Sequence, residues 1–348
     1  MAWLGRSRGP SQAKACATRP IKQNQKRMAK YYHLIIFLGI ASSRTLLGSE
    51  PTTREADASV DRALKYLAAE VPRWSRENHC FSCHNNGDAT RALFEARRRK
   101  LAVPNEALSE TVSFLTHPER WDRNGVDAAF SDKRLARLQF AVALSSGIET
   151  GVVDDRSILR DAARILLKDQ AHDGSWPIDD AALIGSPATY GKPLATALAR
   201  RVLAASDRRR FAEPIARADQ WLQGRPVQNV LDACAVLFAD DSESAPKPDP
   251  RAKSVELLRR AQSEDGGWGP FVNAPSEVFD TALALIALSR GGDRESRKPI
   301  LERGRAYLAS RQSEDGSWPE TTRPSGGESY AQRLSTTGWA TLALLVTE

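Results

Sequence analysis

Cys80-Phe81-Ser82-Cys83-His84 sets two thiols and an imidazole within a single helical turn. In a C-x-x-C-H pattern the two sulfurs can form thioethers with the vinyl groups of a haem while the histidine ligates its iron. Two other uses of the same residues stay open: a Cys80–Cys83 disulfide, or a small zinc site adding His84 or His79. An iron on His84 could take a second ligand from His79, His117 or His172, or keep that position open. The only methionines are Met1 and Met28, both in the stretch expected to be removed, so methionine ligation is excluded in a cleaved chain.

The elements that must position this motif are announced by a repeated phrase. Gln170-Ala171-His172-Asp173-Gly174-Ser175-Trp176, Gln262 to Trp268 and Gln312 to Trp318 all read Q-x-x-D-G-x-W. Each follows a helix-like run and precedes, after a polar gap, an alanine- and leucine-rich helix. Asp-Gly supplies a residue that can take positive φ and stop a helix, and the Gln amide can bond orphan backbone groups there. The Trp then lays a large apolar ring, with one N–H that needs a partner, against the neighbouring helices. The Gln residues are 92 and 50 apart, which predicts a two-helix repeat of 46 to 50 residues and a degenerate copy at Ala218 to Gln223, stopped by Gly224.

These phrases resemble the QW repeats of the terpenoid cyclase and protein prenyltransferase superfamily. The resemblance is strong from residue 160 onward and weak from 57 to 160, and it implies an all-α fold, an α/α toroid of about six helical hairpins. Helical periodicity independently gives twelve segments, at 57–70, 88–101, 105–116, 132–147, 155–170, 192–205, 209–223, 228–239, 251–263, 277–290, 295–312 and 332–346. They are read as a single toroid domain over 49–348, with the C-x-x-C-H motif where the first hairpin should carry its turn phrase. The opening helix, Asp61 to Leu67, resembles Glu302 to Leu308 ahead of the last phrase.

The same resemblance directs attention to carboxylates. Class II cyclases protonate their substrate with a D-x-D-D motif before a Thr-Ala helix. The corresponding stretch is Glu277-Val278-Phe279-Asp280-Thr281-Ala282, where a phenyl ring stands in place of the donor and cannot act as an acid. Prenyltransferases hold zinc with Asp-x-Cys and a later His; Asp232-Ala233-Cys234 resembles the pair, but Asp280 falls where the His is expected, an unusual zinc set. The plainer reading of Asp232 and Asp280 is that acids near helix N-termini satisfy backbone N–H groups, with Cys234 a small core residue. Asp179-Asp180 is a further carboxylate pair, in a turn. Glycine-loop, HExxH and G-x-S-x-G signatures are missing.

The formal charge of +7 is local to the chain start. Residues 1–48 hold nine Lys/Arg and no Asp/Glu, leaving 41 basic against 43 acidic residues in the rest. That balance argues against a nucleic-acid partner. Met28-Ala29-Lys30 followed by the apolar run Leu34 to Ala41 reads as an export signal, too short to span a bilayer, cleaved between Ala41 and Glu50 or retained as an anchor at residues 34–41. The body of the protein is expected in the periplasm or at the cell surface, touching membrane only through that segment. Three functions follow as expectations: a c-type haem protein with a redox partner or bound ligand, an enzyme acting on an isoprenoid or other hydrophobic molecule in the toroid, and a structural repeat scaffold.

Overall fold

The computed structural model describes residues 53–124, 133–178, 184–239, 250–290, 295–323 and 326–348. The export segment, Met28, Asp179-Asp180 and most of the stretch Asp240 to Pro250 lie outside the described residues. Among the described residues twelve α-helices occur: α1 Thr53–Asn78, α2 Thr90–Arg98, α3 Ser109–Leu115, α4 Lys133–Glu149, α5 Ile158–Leu167, α6 Gly191–Asp207, α7 Ala212–Gln223, α8 Val230–Ala239, α9 Pro250–Ala261, α10 Val278–Ser289, α11 Lys298–Arg311 and α12 Tyr330–Val346. A π-helix, Cys83–Ala89, runs directly into α2. Extended pairing among these residues is limited to isolated bridges of Trp268 with Gln262 and Glu277. No described helix is long and apolar enough to cross a membrane.

The fold is an α/α toroid. The π-helix packs on α4, α4 on α6, α6 on α8, α8 on α10, α10 on α12, and α12 returns to the π-helix, so these elements close an inner ring. Their sequences explain the placement, since α8 and α10 are apolar on nearly every side and can only be stable when surrounded. The odd-numbered helices lie outside, and α1, α5 and α7 among them are clearly amphipathic. In α5 the buried residues are Leu159, Ala162, Ala163 and Leu166, one stripe at helical spacing.

The Q-x-x-D-G-x-W phrases join this outer layer. Gly174, Gly266 and Gly316 adopt φ near 90°, as the stop requires. Indole N–H groups of Trp176, Trp268 and Trp318 donate to the carbonyls of Leu166, Leu258 and Leu308 in the helix just ended, at 2.7–2.8 Å. Their backbone N–H groups donate to Thr196, Thr281 and Thr337 of the following inner helix. The Gln amides reach further than the sequence shows. Gln170 donates to Pro214 O of α7, Gln262 to Ile300 O of α11, and Gln312 to Ser59 O of α1, each at 2.9 Å. The last of these closes the ring.

Each receiving helix carries an arginine three residues on. Arg217 and Arg62 donate to the Gln170 and Gln312 side chains at 2.7 and 2.6 Å, and Arg303 to Ser263 O at 2.7 Å. A β-carbon on Gly174, Gly266 or Gly316 would collide with the backbone oxygen of the same arginine. Arg62-Ala63, Arg217-Ala218 and Arg303-Gly304 all precede an aromatic-Leu pair that begins four residues after the arginine: Tyr66-Leu67, Trp221-Leu222 and Tyr307-Leu308. Ala218 to Gln223 does end α7 and Gly224 caps it, as expected, but the residues of the full turn phrase play other parts there. Trp221 takes the receiving helix's aromatic position and donates to Asp173 of the preceding phrase at 3.1 Å, while Gly224 keeps an ordinary φ of −74°.

One correction concerns α1, expected to stop at residue 70. It continues through Pro72 to Asn78 because Val71, Pro72 and Ser75 are buried against neighbouring elements, which outweighs the single N–H that proline lacks.

Candidate functional site at the inner-ring helix starts

The C-x-x-C-H motif forms the entry into the inner ring. Ser82 caps the π-helix, accepting from the N–H groups of His84 (3.2 Å) and Asn85 (3.4 Å). Asn124 clasps Phe81 from outside: Phe81 N–H donates to its Oδ1 at 2.8 Å, and its amide donates back to Phe81 O. The Phe81 ring stacks on Phe114 with centroids 4.1 Å apart. Behind the motif, Asn85 and Asn86 are fully buried and donate to Glu70 O and Val71 O of α1. The turn that replaces the repeat phrase is therefore built from side-chain bonds rather than from Gly and Trp.

Cys80 is buried, and Cys83 and His84 are partly exposed. Cys83 is a thiol, so the two are not bridged to each other. His84 Nδ1 lies 2.9 Å from Ser335 Oγ of α12. Protein surrounds the ring closely enough that burial pushes its pKa down to about 4, leaving a neutral imidazole at pH 7. A neutral, oriented imidazole beside a thiol fits what haem attachment asks of Cys83 and His84.

The proposed second ligands sit elsewhere. His79 is exposed at the end of α1 with φ 54°, His172 is exposed in the first turn phrase of the outer layer, and His117 is held by its own Nδ1 against Ser113 O at 2.7 Å. Among the described residues no three His, Cys, Asp or Glu side chains are arranged to hold a metal ion. Neither Cys80, Cys83 and His84 nor Asp232, Cys234 and Asp280 forms such a group. Asp232 accepts from Gln228 N–H ahead of α8, the helix-start role expected of it. Cys234 is fully buried; burial first, then the charges of Asp280 and Asp232, push its thiol well up.

Asp88, one turn after His84, is the residue that sequence reasoning missed. It is 2% exposed and accepts from the Tyr190 hydroxyl and from Gln139 Nε2 (2.8 Å), with Arg91 at 3.8 Å. Burial pushes its pKa up to about 6, against the opposing pull of Arg91 and the Tyr190 hydroxyl. Tyr190 reaches it from a strap before α6, with φ 59° followed by Gly191 at 72°. Gln139 Nε2 faces the strap's Pro187 O at 3.5 Å.

Across the ring, Asp280 is fully buried and paired with Arg323 at 2.9 Å. Arg323 also binds Glu277 at 2.7 Å and donates to Gly185 O of the strap at 2.9 Å. Burial pushes Asp280 up to about 6 despite the guanidinium. Phe279, at the expected donor position, is buried edge-on to Trp339, 5.9 Å away. Trp339 itself touches Tyr190, Phe238 and Phe279 and carries Arg91 on its face at 4.2 Å. This buried indole thus packs against the strap, α2, α8 and α10.

With that geometry established, the fold class is clear: an α/α toroid, like that of the terpene cyclases. The family model for the squalene-hopene cyclase C-terminal domain matches residues 226–348. Similar relatives include the squalene–hopene cyclase of Bradyrhizobium diazoefficiens, 30% identical over 126 residues, or 34% of this chain and 19% of that one. Drimenyl diphosphate synthase of Streptomyces showdoensis is 44% identical over 72 residues, 20% of this chain and 13% of that one. The chain thus matches less than a fifth of the length of these relatives. A solved structure of a variant type II terpene cyclase MstE from Scytonema, with geranylgeranyl dihydroxybenzoate, superposes with a TM-score of 0.53 at 15% identity, covering 85% of this chain and 98% of that one. A mutant unsaturated glucuronyl hydrolase from Streptococcus agalactiae gives 0.56 at 12% identity, covering 92% and 98%. Two chemistries on one scaffold mean that these likenesses speak for the fold.

Proposed function

We propose that this chain is an exported α/α toroid that carries one covalently attached c-type haem at Cys80, Cys83 and His84 and serves electron transfer or ligand binding, without acid-initiated cyclisation. The observation that carries the reading is the position of the motif: it opens an inner-ring element and presents a neutral imidazole already held by Ser335. When bound, the haem supplies one-electron chemistry; the chain's own residues orient its ligand and shield it from water. For the Cys80 sulfur, thioether and disulfide are alternative fates, and attachment requires the thiol.

Protein matured in a periplasm with cytochrome-assembly machinery is expected to gain the mass of one haem. The gain should survive denaturation and acid extraction and disappear in the Cys80→Ser, Cys83→Ser double variant. With no methionine in a cleaved chain, the spectrum should lack the weak long-wavelength band of Met–iron ligation, and the potential should lie below that of Met/His cytochromes. Colourless protein in which Cys80 and Cys83 carry no added mass would refute the haem site.

A second reading, an enzyme acting on an isoprenoid in the toroid, is favoured by the squalene-hopene cyclase match over 226–348. Against it stands Phe279 at the donor position, buried edge-on to Trp339. Incubation with squalene and shorter polyprenyl substrates is expected to give no cyclic product. A cyclised hydrocarbon that vanishes in Asp280→Asn would reverse the order of the two readings.

A further inference from the structure

We propose that a cleft in the outer layer of the toroid, between α5 and α7, binds a small phosphate monoester whose ester group is apolar. The cleft has a volume of about 540 Å³, within the range of small-molecule sites. Arg164 of α5, Arg210 just ahead of α7 and Arg217 of α7 bring three guanidinium groups to it, with Glu213 the one acid in its lining. The site is separate from the C-x-x-C-H motif and owes nothing to the haem reading.

The three joints of the ring supply an internal control. Arg217 belongs to the scaffold, since Arg303 and Arg62 hold the same place in the other two joints. Arg164 and Arg210 do not. Six residues before the joint glutamine, where the first joint has Arg164, the second has Glu256 and the third Ala306. Seven residues before the joint arginine, where the first has Arg210, the others have Ser296 and Glu55. Two joints close without these arginines, so the packing of the ring does not call for them.

The guanidinium groups also have capacity left for a ligand. Arg210 is exposed and has no ion-pair partner among the described residues. Arg217 gives one terminal nitrogen to Glu213 and the other to Gln170, which leaves its buried Nε–H without a partner. Arg164 pairs with Asp161 three residues earlier on its own helix, an exposed contact that contributes little and is readily exchanged. An anion entering the cleft therefore gains donors while displacing little. Its charge follows from the lining, where three positive side chains against one negative leave a balance of +2. A phosphate monoester carries about −1.5 to −2 near neutral pH and matches that balance better than a carboxylate does. Its oxygens also suit the guanidinium fork. The first turn of α7, which includes Glu213 and Pro214, turns the positive end of the helix dipole to the same place. Buried Phe211 and Pro214 and half-buried Leu167 form the apolar part of the lining, against which the ester group packs.

The test uses full-length chain labelled with 15N-arginine and titrated with phenyl phosphate near pH 7 at low salt, read on the Nε–H resonances. Arg164, Arg210 and Arg217 are expected to shift along one saturable curve while Arg303 and Arg62 stay in place. Arg164→Glu and Arg210→Ser, each the residue that the second joint carries, are expected to fold as the parent does in urea melts. Each should weaken binding by about tenfold or more, the scale of a lost hydrogen bond to a charged group. Arg210→Ser alters an exposed side chain outside the joint, so its result stands even where Arg164→Glu disturbs the fold. Inorganic phosphate, which lacks the apolar group, and benzoate, which lacks the second charge, should both bind several-fold more weakly. Shifts that never saturate or that appear equally at Arg303 would overturn the proposal. So would unchanged affinity in folded Arg210→Ser, or benzoate or inorganic phosphate binding as tightly as phenyl phosphate.

Discussion

Trp318→Ala is expected to lower the unfolding free energy by about 3–5 kcal/mol, the range for deleting a fully buried large aromatic. Trp318 has no exposed surface, and its indole N–H satisfies Leu308 O while its backbone N–H is received by Thr337. Truncation leaves a cavity between α11 and α12 and strands the Leu308 carbonyl. Trp268→Ala should cost a similar amount, because it repeats every one of these bonds one hairpin earlier. Trp221→Ala is the control: that ring is half-buried, capped by Arg225 at 4.6 Å, and should cost far less. Urea melts of the three variants settle the matter, and equal losses in Trp221→Ala and Trp318→Ala would show that the turn phrases are not the joints of the ring.

The third joint has a further consequence. The first two connect neighbouring hairpins, whereas Gln312 bonds Ser59 across 253 positions of sequence and brings α11 against α1. Weakening this phrase should therefore expose α1 to proteolysis before the rest of the ring, a graded local opening rather than a uniform loss.

Much of this scaffold was legible in the residues because its signals are local. A Gly that needs positive φ, a Trp that needs a carbonyl and an apolar stripe at helical spacing each lie within one turn of what they organise. The receiving half of the joint was partly visible, since the resemblance of Asp61 to Leu67 and Glu302 to Leu308 already aligned Arg62 with Arg303. Extending that alignment to Arg217 would have placed Trp221 correctly. The polar centre was a different matter. Tyr190 meets Asp88 across 102 positions, Arg323 meets Gly185 across 138, and His84 meets Ser335 across 251. No periodicity links such pairs. The one available signal was polar residues inside helices otherwise built from Ala and Leu, because Gln139, Asp280, Gln332 and Ser335 can be stable there only if they find buried partners.

Arg323→Met is expected to be the most costly single change in this polar centre, about 3–5 kcal/mol at pH 7, because it leaves Asp280 as an uncompensated buried charge. Asp280→Asn should cost less, since Arg323 keeps Glu277 and Gly185 O. The double variant should then recover much of what Arg323→Met loses, the mark of a coupled pair. The pH dependence follows from the same burial. Asp280 is pushed up to about 6 from an ordinary carboxyl value near 3.8, so between those values the folded state binds the proton more tightly than the unfolded chain does. Stability from this group is accordingly greatest at low pH, falls as pH rises from about 4 to 6, and is flat above. Asp88 acts with the same sign, and His84, pushed down to about 4, with the opposite one. Subtracting Asp280→Asn from the parent at each pH removes both common contributions. The difference should favour the parent more at pH 4.5 than at pH 7, and the Arg323→Met defect should shrink over the same interval as Asp280 becomes neutral. A difference constant with pH would mean that Arg323 holds Asp280 ionised throughout, and that the guanidinium rather than burial governs this carboxylate.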